Sequence, residues 1–255
     1  MTSDLVSLRM LYVAAKEPGQ ELWKPDHDLW RQGAAMASVP IEFSAHDAPA
    51  AAAALRKGGV DICVMDSALP HDEKTVVIKA ASQARPQPLT VESASDDNPR
   101  AEGTDAAIPK PSSADDARRL VDACVRAKIP NRVLIVDDSG TMRSIVRKIL
   151  AASRFALEVH EASEGETAID QLRTGNFGMV FLDYNMPGLN GFETLAMIKR
   201  DHPGMAVVMI TSNMDQDLAN RARASGAIAF LQKPFYPSDI DAVLARHYGL
   251  DTAAG

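Results

Sequence analysis

Residues 132–150 read RVLIVDDSGTMRSIVRKIL. The run Val133-Leu134-Ile135-Val136 is apolar without alternation, as a strand covered by helices on both faces must be. It stops on two acids, Asp137 and Asp138. Apolar residues then return at helical spacing, with Met142, Ile145, Val146, Ile149 and Leu150 forming one core-facing stripe. A strand passing through a polar turn into an amphipathic helix is the repeating unit of an α/β protein with a mostly parallel sheet. The same alternation continues through Val180-Phe181-Leu182, Val207-Val208-Met209-Ile210 and Ile228-Ala229-Phe230-Leu231. A weaker run, Ala156-Leu157-Glu158-Val159-His160, alternates and suits an edge strand. The last helix is expected to begin at Ser238, with Asp241 three residues later in a capping-box pattern. Five strands and five helices fit in about 120 residues, a normal domain size.

The first half repeats this plan. Arg9-Met10-Leu11-Tyr12-Val13 stands 123 positions before Arg132-Val133-Leu134-Ile135-Val136. Ile62-Cys63-Val64-Met65-Asp66 stands 117 positions before Met179-Val180-Phe181-Leu182-Asp183, as Pro86 does before Pro203, and Lys110-Pro111 precedes Lys233-Pro234 by 123 again. The first half therefore carries a longer insert near Glu17 to Gly33 and a shortened stretch before Lys110. That stretch, SDDNPRAEGT from Ser95 to Thr104, is polar and breaker-rich, so a loop is expected where the second half has its fourth helix. The helical pattern Leu120, Val121, Cys124, Val125 ends the first half. The expected division is 1–129 and 130–255, with a connection short enough to hold the domains close.

Of the 255 residues, 46% are hydrophobic and 24% charged, a globular composition. A formal net charge of −7, with no basic run and interleaved aromatics, argues against a nucleic-acid or membrane-surface partner. The start lacks the regions of a signal peptide, and no run of about 18 apolar residues predicts a spanning helix. Cys63 and Cys124 each lie in an apolar stretch with no metal-ligand spacing, which reads as two buried thiols in a reducing cytoplasm.

The chemistry concentrates at the carboxyl ends of the second-half strands, where open α/β sheets bind ligands. Asp137 and Asp138 end the first strand, Asp183 the third and Thr211 the fourth, and Lys233 follows the fifth. Three carboxylates in one cleft repel each other and call for a cation, and oxygen-only donors favour Mg²⁺. An oxygen of Asp183 could then attack a phosphoryl group in line. Lys233 offers a mobile positive charge and Thr211 a hydroxyl donor for the attached group. An Asp-Asp pair alone is commonly a turn or a helix cap, and a Lys-Pro commonly a loop; the ordered set is what is specific.

At these residues the second half resembles the receiver family of two-component response regulators, in particular its CheY-like, chemotaxis-type members. The segments that carry the resemblance are VLIVDDSGTMR (133–143), FLDYNMPGLNG (181–191), ITS (210–212) and QKPF (232–235). The resemblance implies two flavodoxin-like, doubly wound domains, each with a five-stranded parallel sheet of order 2-1-3-4-5, and a cis Lys233-Pro234 bond. It implies that Asp183 is the phosphorylated residue. It also implies Mg²⁺ held by Asp138, Asp183 and the backbone carbonyl of Asn185, with Asp137 acting through water. Thr211 and Phe230 would be the switch pair, although Phe230 reads equally well as core, and Ser212 and Asn213 would border the phosphoryl group. The implied partners are a histidine kinase or phosphotransfer protein and a downstream protein target, with a homodimer possible. No enzymatic or DNA-binding output remains once both domains are assigned.

In the first half Asp66 and Lys110 keep their places, but Ala14-Ala15 replace the acidic pair and Ala94 stands for Thr211. The first half therefore reads as a degenerate receiver that is not phosphorylated, with Lys16 placed to pair with Asp66. Leu22, Trp23, Leu29 and Trp30 in its insert could serve core packing or a partner surface. Two other functions compete. An Asp-nucleophile phosphatase would want an acid two residues after Asp183, where Asn185 stands. An unphosphorylated adaptor would bind no Mg²⁺ at Asp138 and Asp183.

Overall fold

The computed structural model describes residues 7–14, 25–94, 101–212 and 216–250. It divides into two compact units, Met1–Lys128 with Tyr248–Gly255, and Ile129–His247. The N-terminal unit contains β1 (Leu8–Val13), α1 (Pro25–Ala35), β2 (Ile41–His46), α2 (Ala48–Lys57), β3 (Ile62–Asp66), α3 (His71–Gln83), β4 (Leu89–Ala94), β5 (Ala106–Pro109) and α4 (Ala114–Lys128). Its strands pair in parallel in the order β2-β1-β3-β4-β5. The second unit contains β6 (Asn131–Val136), α5 (Gly140–Ala151), β7 (Leu157–Ala162), α6 (Gly165–Thr174), β8 (Met179–Asp183), α7 (Gly191–Asp201), β9 (Ala206–Thr211), α8 (Gln216–Ala224), β10 (Ala229–Gln232) and α9 (Pro237–Tyr248). Its sheet is also parallel, in the order β7-β6-β8-β9-β10. Each unit is thus a doubly wound sheet in which the first and third strands are neighbours.

The burial follows from that order. Every residue of β8 and β9 is buried, as central strands covered on both faces require, whereas the edge strand β7 is mostly half-buried and does not carry its expected alternation past Val159. Val146 and Leu150 of α5 are buried and Met142 and Ile149 half-buried, but Ile145 is 43% exposed. At about 100° per residue Ile145 lies about 140° round the helix from Leu150, beyond the arc the sheet can cover. The expected five-residue stripe is therefore narrower than its sequence.

The last helix also departs from expectation. It starts at Pro237, suited to a first helical position, and Asp239 accepts the Tyr236 N–H at 2.7 Å. Asp241 does not close a capping box. Its carboxylate instead accepts from the Ser153 hydroxyl (2.6 Å) and pairs with Arg154 (2.9 Å), fixing the loop after α5. The complete capping box of the second unit belongs to Asn190 and Glu193 at the start of α7.

That start is tight. A Cβ on Gly191 would lie 2.5 Å from the carbonyl oxygen of Asp183 and 2.7 Å from the Cα of Tyr184, both backbone atoms with little room to move. Gly191→Ala should therefore cost about 1–3 kcal/mol through overpacking, read as a lowered urea midpoint for the second unit.

In the N-terminal unit no helix lies between β4 and β5 among the described residues; 95–100 of the expected loop fall outside them, and Ala101 accepts a turn hydrogen bond from Thr104. Glu92, wholly buried in mid-β4, pairs with Lys74 of α3 at 2.7 Å and accepts the Ala101 N–H at 2.6 Å. Trp30 is fully buried, so its role is packing, and Leu29 is half-buried, while Leu22 and Trp23 lie outside the described residues. Cys63 and Cys124 are buried free thiols that burial pushes up to about 12. Among the described residues no helix is long and apolar enough to cross a membrane.

Candidate acidic site at the carboxyl edge of the second sheet

Because β6 and β8 are hydrogen-bonded neighbours, their carboxyl ends bring Asp137, Asp138 and Asp183 together. One carboxylate oxygen of each lies within 4.8 Å of the others, the only such acidic or His/Cys group among the described residues. Each acid is held differently. Asp137 is buried and its Oδ1 accepts the Ser139 N–H at 2.9 Å, while the Ser139 hydroxyl caps α5 through the Met142 N–H. Asp183 is buried and its Oδ2 accepts the Asn185 N–H at 3.0 Å. Asp138 is exposed. Lys233, on the loop after β10 and followed by a cis proline, bridges the two buried acids: its Nζ lies 2.8 Å from Asp137 Oδ2 and 2.7 Å from Asp183 Oδ1. Its backbone N–H donates to the carbonyl of Thr211 at 2.7 Å, and Thr211 is fully buried at the end of β9.

One ammonium among three carboxylates leaves negative charge uncompensated. Burial raises the Asp183 carboxyl above its usual range, Lys233 pulls it down, and the charge of Asp137 pushes it up again, for a net upward shift. Burial alone would lower the Lys233 ammonium, but its hydrogen bonds and charge contacts with Asp137 and Asp183 outweigh this and raise it. A hard, oxygen-seeking dication fits this donor set better than a soft metal, since no sulfur or imidazole is among the clustered ligands.

Two further residues complete the picture. Phe230 is partly buried and packs against the core beneath the site, which suits either of its expected roles. Arg143, noted in the sequence only for its motif, reaches back from the first turn of α5. It donates to the carbonyl oxygens of Asp137 (2.7 Å) and Asp138 (3.3 Å) and pairs with Glu161 of β7 at 3.1 Å. Helical spacing could not reveal this contact, because both partners are outside the helix. Asn213 lies outside the described residues.

The corresponding edge of the N-terminal unit is filled differently. Asp66 is fully buried; its Oδ1 accepts from Lys110 Nζ (2.8 Å) and the Ala68 N–H (2.9 Å), and its Oδ2 from the Tyr12 hydroxyl (3.1 Å). The partner is Lys110, whereas the expected Lys16 lies outside the described residues. Lys110 also reaches Asp26 of α1 at 3.1 Å, so a carboxylate from the insert stands where the sequence showed only alanines. Burial, then the charges of Asp66 and Asp26, push the Tyr12 phenol far above its ordinary range, so it stays a donor. Burial alone would raise Asp66, but the hydrogen bonds from Lys110, Ala68 and Tyr12 and the charge of Lys110 hold it below its ordinary 3.8. With the folded value depressed, the stabilisation is present above the unfolded value and lost as pH falls through the folded one. The N-terminal unit should therefore show an acid-unfolding limb below about pH 4 in tryptophan fluorescence, and Asp66→Asn should flatten it.

Residues 133–245 match the response regulator receiver domain family. The chain is 35% identical over 106 residues to the chemotaxis protein CheY of Pseudomonas aeruginosa, a match covering 41% of this chain and 85% of that protein. The chain belongs to the response regulator receiver family. It is also 37% identical over 106 residues to the chemotaxis protein CheY-3 of Vibrio cholerae, covering 41% of this chain and 81% of the relative. A solved structure of a probable two-component system response regulator/GGDEF domain protein aligns with 94% of this chain and 97% of its own, with a TM-score of 0.55 and 21% identity. That likeness concerns the fold. Both sheets thus have the receiver strand order, and the family match falls on the unit that carries the acidic site.

Proposed function

We propose that the protein is a response regulator whose second domain, 130–255, accepts a phosphoryl group on Asp183 from a histidine kinase or phosphotransfer protein. The observation that carries this is the convergence of Asp137, Asp138, Asp183 and Lys233 at adjoining strand ends. A carboxylate oxygen of Asp183 attacks phosphorus in line; the donor P–N bond breaks, its electron pair stays on the imidazole, and an acyl phosphate forms. Asp138, Asp183 and the Asn185 carbonyl, with Asp137 through water, would hold Mg²⁺, which supplies neutralisation of the phosphoryl oxygens when bound. As the charge moves from Asp183 onto the phosphoryl oxygens, the Lys233 ammonium beside Asp183 Oδ1 can follow it. Thr211 then donates its hydroxyl to the attached group, and Phe230 moves into the space this opens.

Output in this reading passes through protein contacts, with a downstream target on the switch face and homodimerisation as a further route. There is no nucleic-acid or membrane partner and no enzymatic turnover. The names of the relatives favour a chemotaxis pathway, and the reduced, buried thiols suit a cytoplasmic protein. Residues 1–129 act as a degenerate receiver, silent because Ala14-Ala15 leave no acidic pair to gather a cation and the Tyr12 hydroxyl occupies the second oxygen of Asp66.

Incubation with acetyl phosphate tests this reading by intact-mass spectrometry. A single phosphoryl adduct should form with Mg²⁺ and disappear with EDTA. No adduct under either condition would favour an adaptor. Steady turnover of p-nitrophenyl phosphate would favour the Asp-nucleophile phosphatase.

A further inference from the structure

We infer that Arg143, held in place by Glu161, is a positioning residue that sets the Asp137–Asp138 turn for cation binding. This rests on the proposed receiver chemistry and adds to it a residue outside the ligand set. The acidic pair sits on an irregular turn between β6 and α5, where no ladder hydrogen bond fixes the Asp138 peptide. Arg143 supplies the missing constraint. Its Nη1 donates to both carbonyl oxygens of the pair, at 2.7 and 3.3 Å, while its own backbone N–H closes the first turn of α5 onto the Ser139 carbonyl at 2.9 Å. The loop is thereby clasped from the helix side, and the carbonyls are turned toward the guanidinium.

Glu161 aims the clasp. Its Oε2 takes the Arg143 Nε at 3.1 Å and its Oε1 takes the Arg147 Nε at 2.7 Å, so the carboxylate is held between two arginines one helical turn apart. Glu161 is anchored in the edge strand, in register with Ile135 of β6. The planar fork of arginine lets Nη1 serve the carbonyls while Nε serves the carboxylate, separating two sets of acceptors that the single nitrogen of a lysine would have to reach from one point. Glu161 also balances the Arg143 charge. Without it a bare guanidinium would stand close to a site meant to attract a dication.

Calorimetric titration of the full chain with Mg²⁺, on wild type, Arg143→Ala, Arg143→Lys and Glu161→Gln, tests this. Arg143→Ala should weaken Mg²⁺ binding about tenfold, the low end of what loss of a ligand-orienting contact costs in metal sites. Arg143→Lys and Glu161→Gln should fall between it and wild type. At saturating Mg²⁺ the acetyl phosphate labelling rate of Arg143→Ala should return to that of wild type, which separates a positioning role from a direct chemical one. Mg²⁺ affinity within twofold of wild type in Arg143→Ala would overturn the inference. If that variant does not fold, unchanged affinity in both Arg143→Lys and Glu161→Gln overturns it equally. Absence of Mg²⁺ binding in the wild type would overturn the receiver reading itself, a result distinct from unchanged affinity in the variants.

Discussion

Glu92→Met alone should destabilise the N-terminal unit by about 3–5 kcal/mol, because it strands the Lys74 ammonium in a buried place without its partner. Lys74 and Glu92 are both buried, and Glu92 also accepts the Ala101 N–H from the loop ahead of β5. The double variant Lys74→Met/Glu92→Met should recover most of the loss, since well-packed apolar residues often replace a buried ion pair at little or no cost. The second sheet places a methionine at the matching position. Glu92 is in register with Met65 of β3, and at the matching place of the second sheet Met209 is in register with Leu182 and fully buried. Both tryptophans, Trp23 and Trp30, belong to the N-terminal half, so urea unfolding followed by their fluorescence reads this unit alone. A single-variant loss under about 1 kcal/mol would mean that water already reaches the pair.

Asp183→Asn should abolish phosphoryl uptake from acetyl phosphate and weaken Mg²⁺ binding, while Asp66→Asn should change neither. The amide is a poor nucleophile, and its loss of charge leaves two carboxylates against the Lys233 ammonium where there had been three. Asp66 already spends its oxygens on Lys110, Ala68 and Tyr12, and the described residues place only Asp26 beside that lysine as a second acid. The two variants also differ in stability. Asp183→Asn relieves the burial of a charged group and its repulsion from Asp137 while weakening its tie to Lys233, whereas Asp66→Asn removes a negative charge that Lys110 needs. Retained labelling in Asp183→Asn would mean that another residue takes the phosphoryl group.

The strands were legible because central parallel strands have no polar face to confuse the pattern, and runs such as 179–183 and 206–211 are buried throughout. The acid trio was legible for a related reason: each member ends such a run, so strand order alone brings them together. What stayed hidden depends on side chains that reach across elements. The Asp241 contact with Ser153 and Arg154 joins residues 88 and 87 positions apart, and local spacing therefore misassigned it to a helix cap. Asp26 was invisible as a site residue because it arrives on an insert helix, and the alanines at 14 and 15 suggested an edge with no second acid. Ile145 looked like core because periodicity gives the direction of an apolar arc, while the neighbouring sheet sets how much of it is covered.

The most direct measurement reads the modified position in the unaltered protein. The wild type is phosphorylated with acetyl phosphate and Mg²⁺, reduced with borohydride, which converts an aspartyl phosphate to homoserine, and mapped by peptide mass spectrometry. Homoserine at position 183 and nowhere else is the predicted result. Homoserine at position 66, or a phosphorylated protein with no homoserine at 183, would contradict the assignment of the phosphate acceptor.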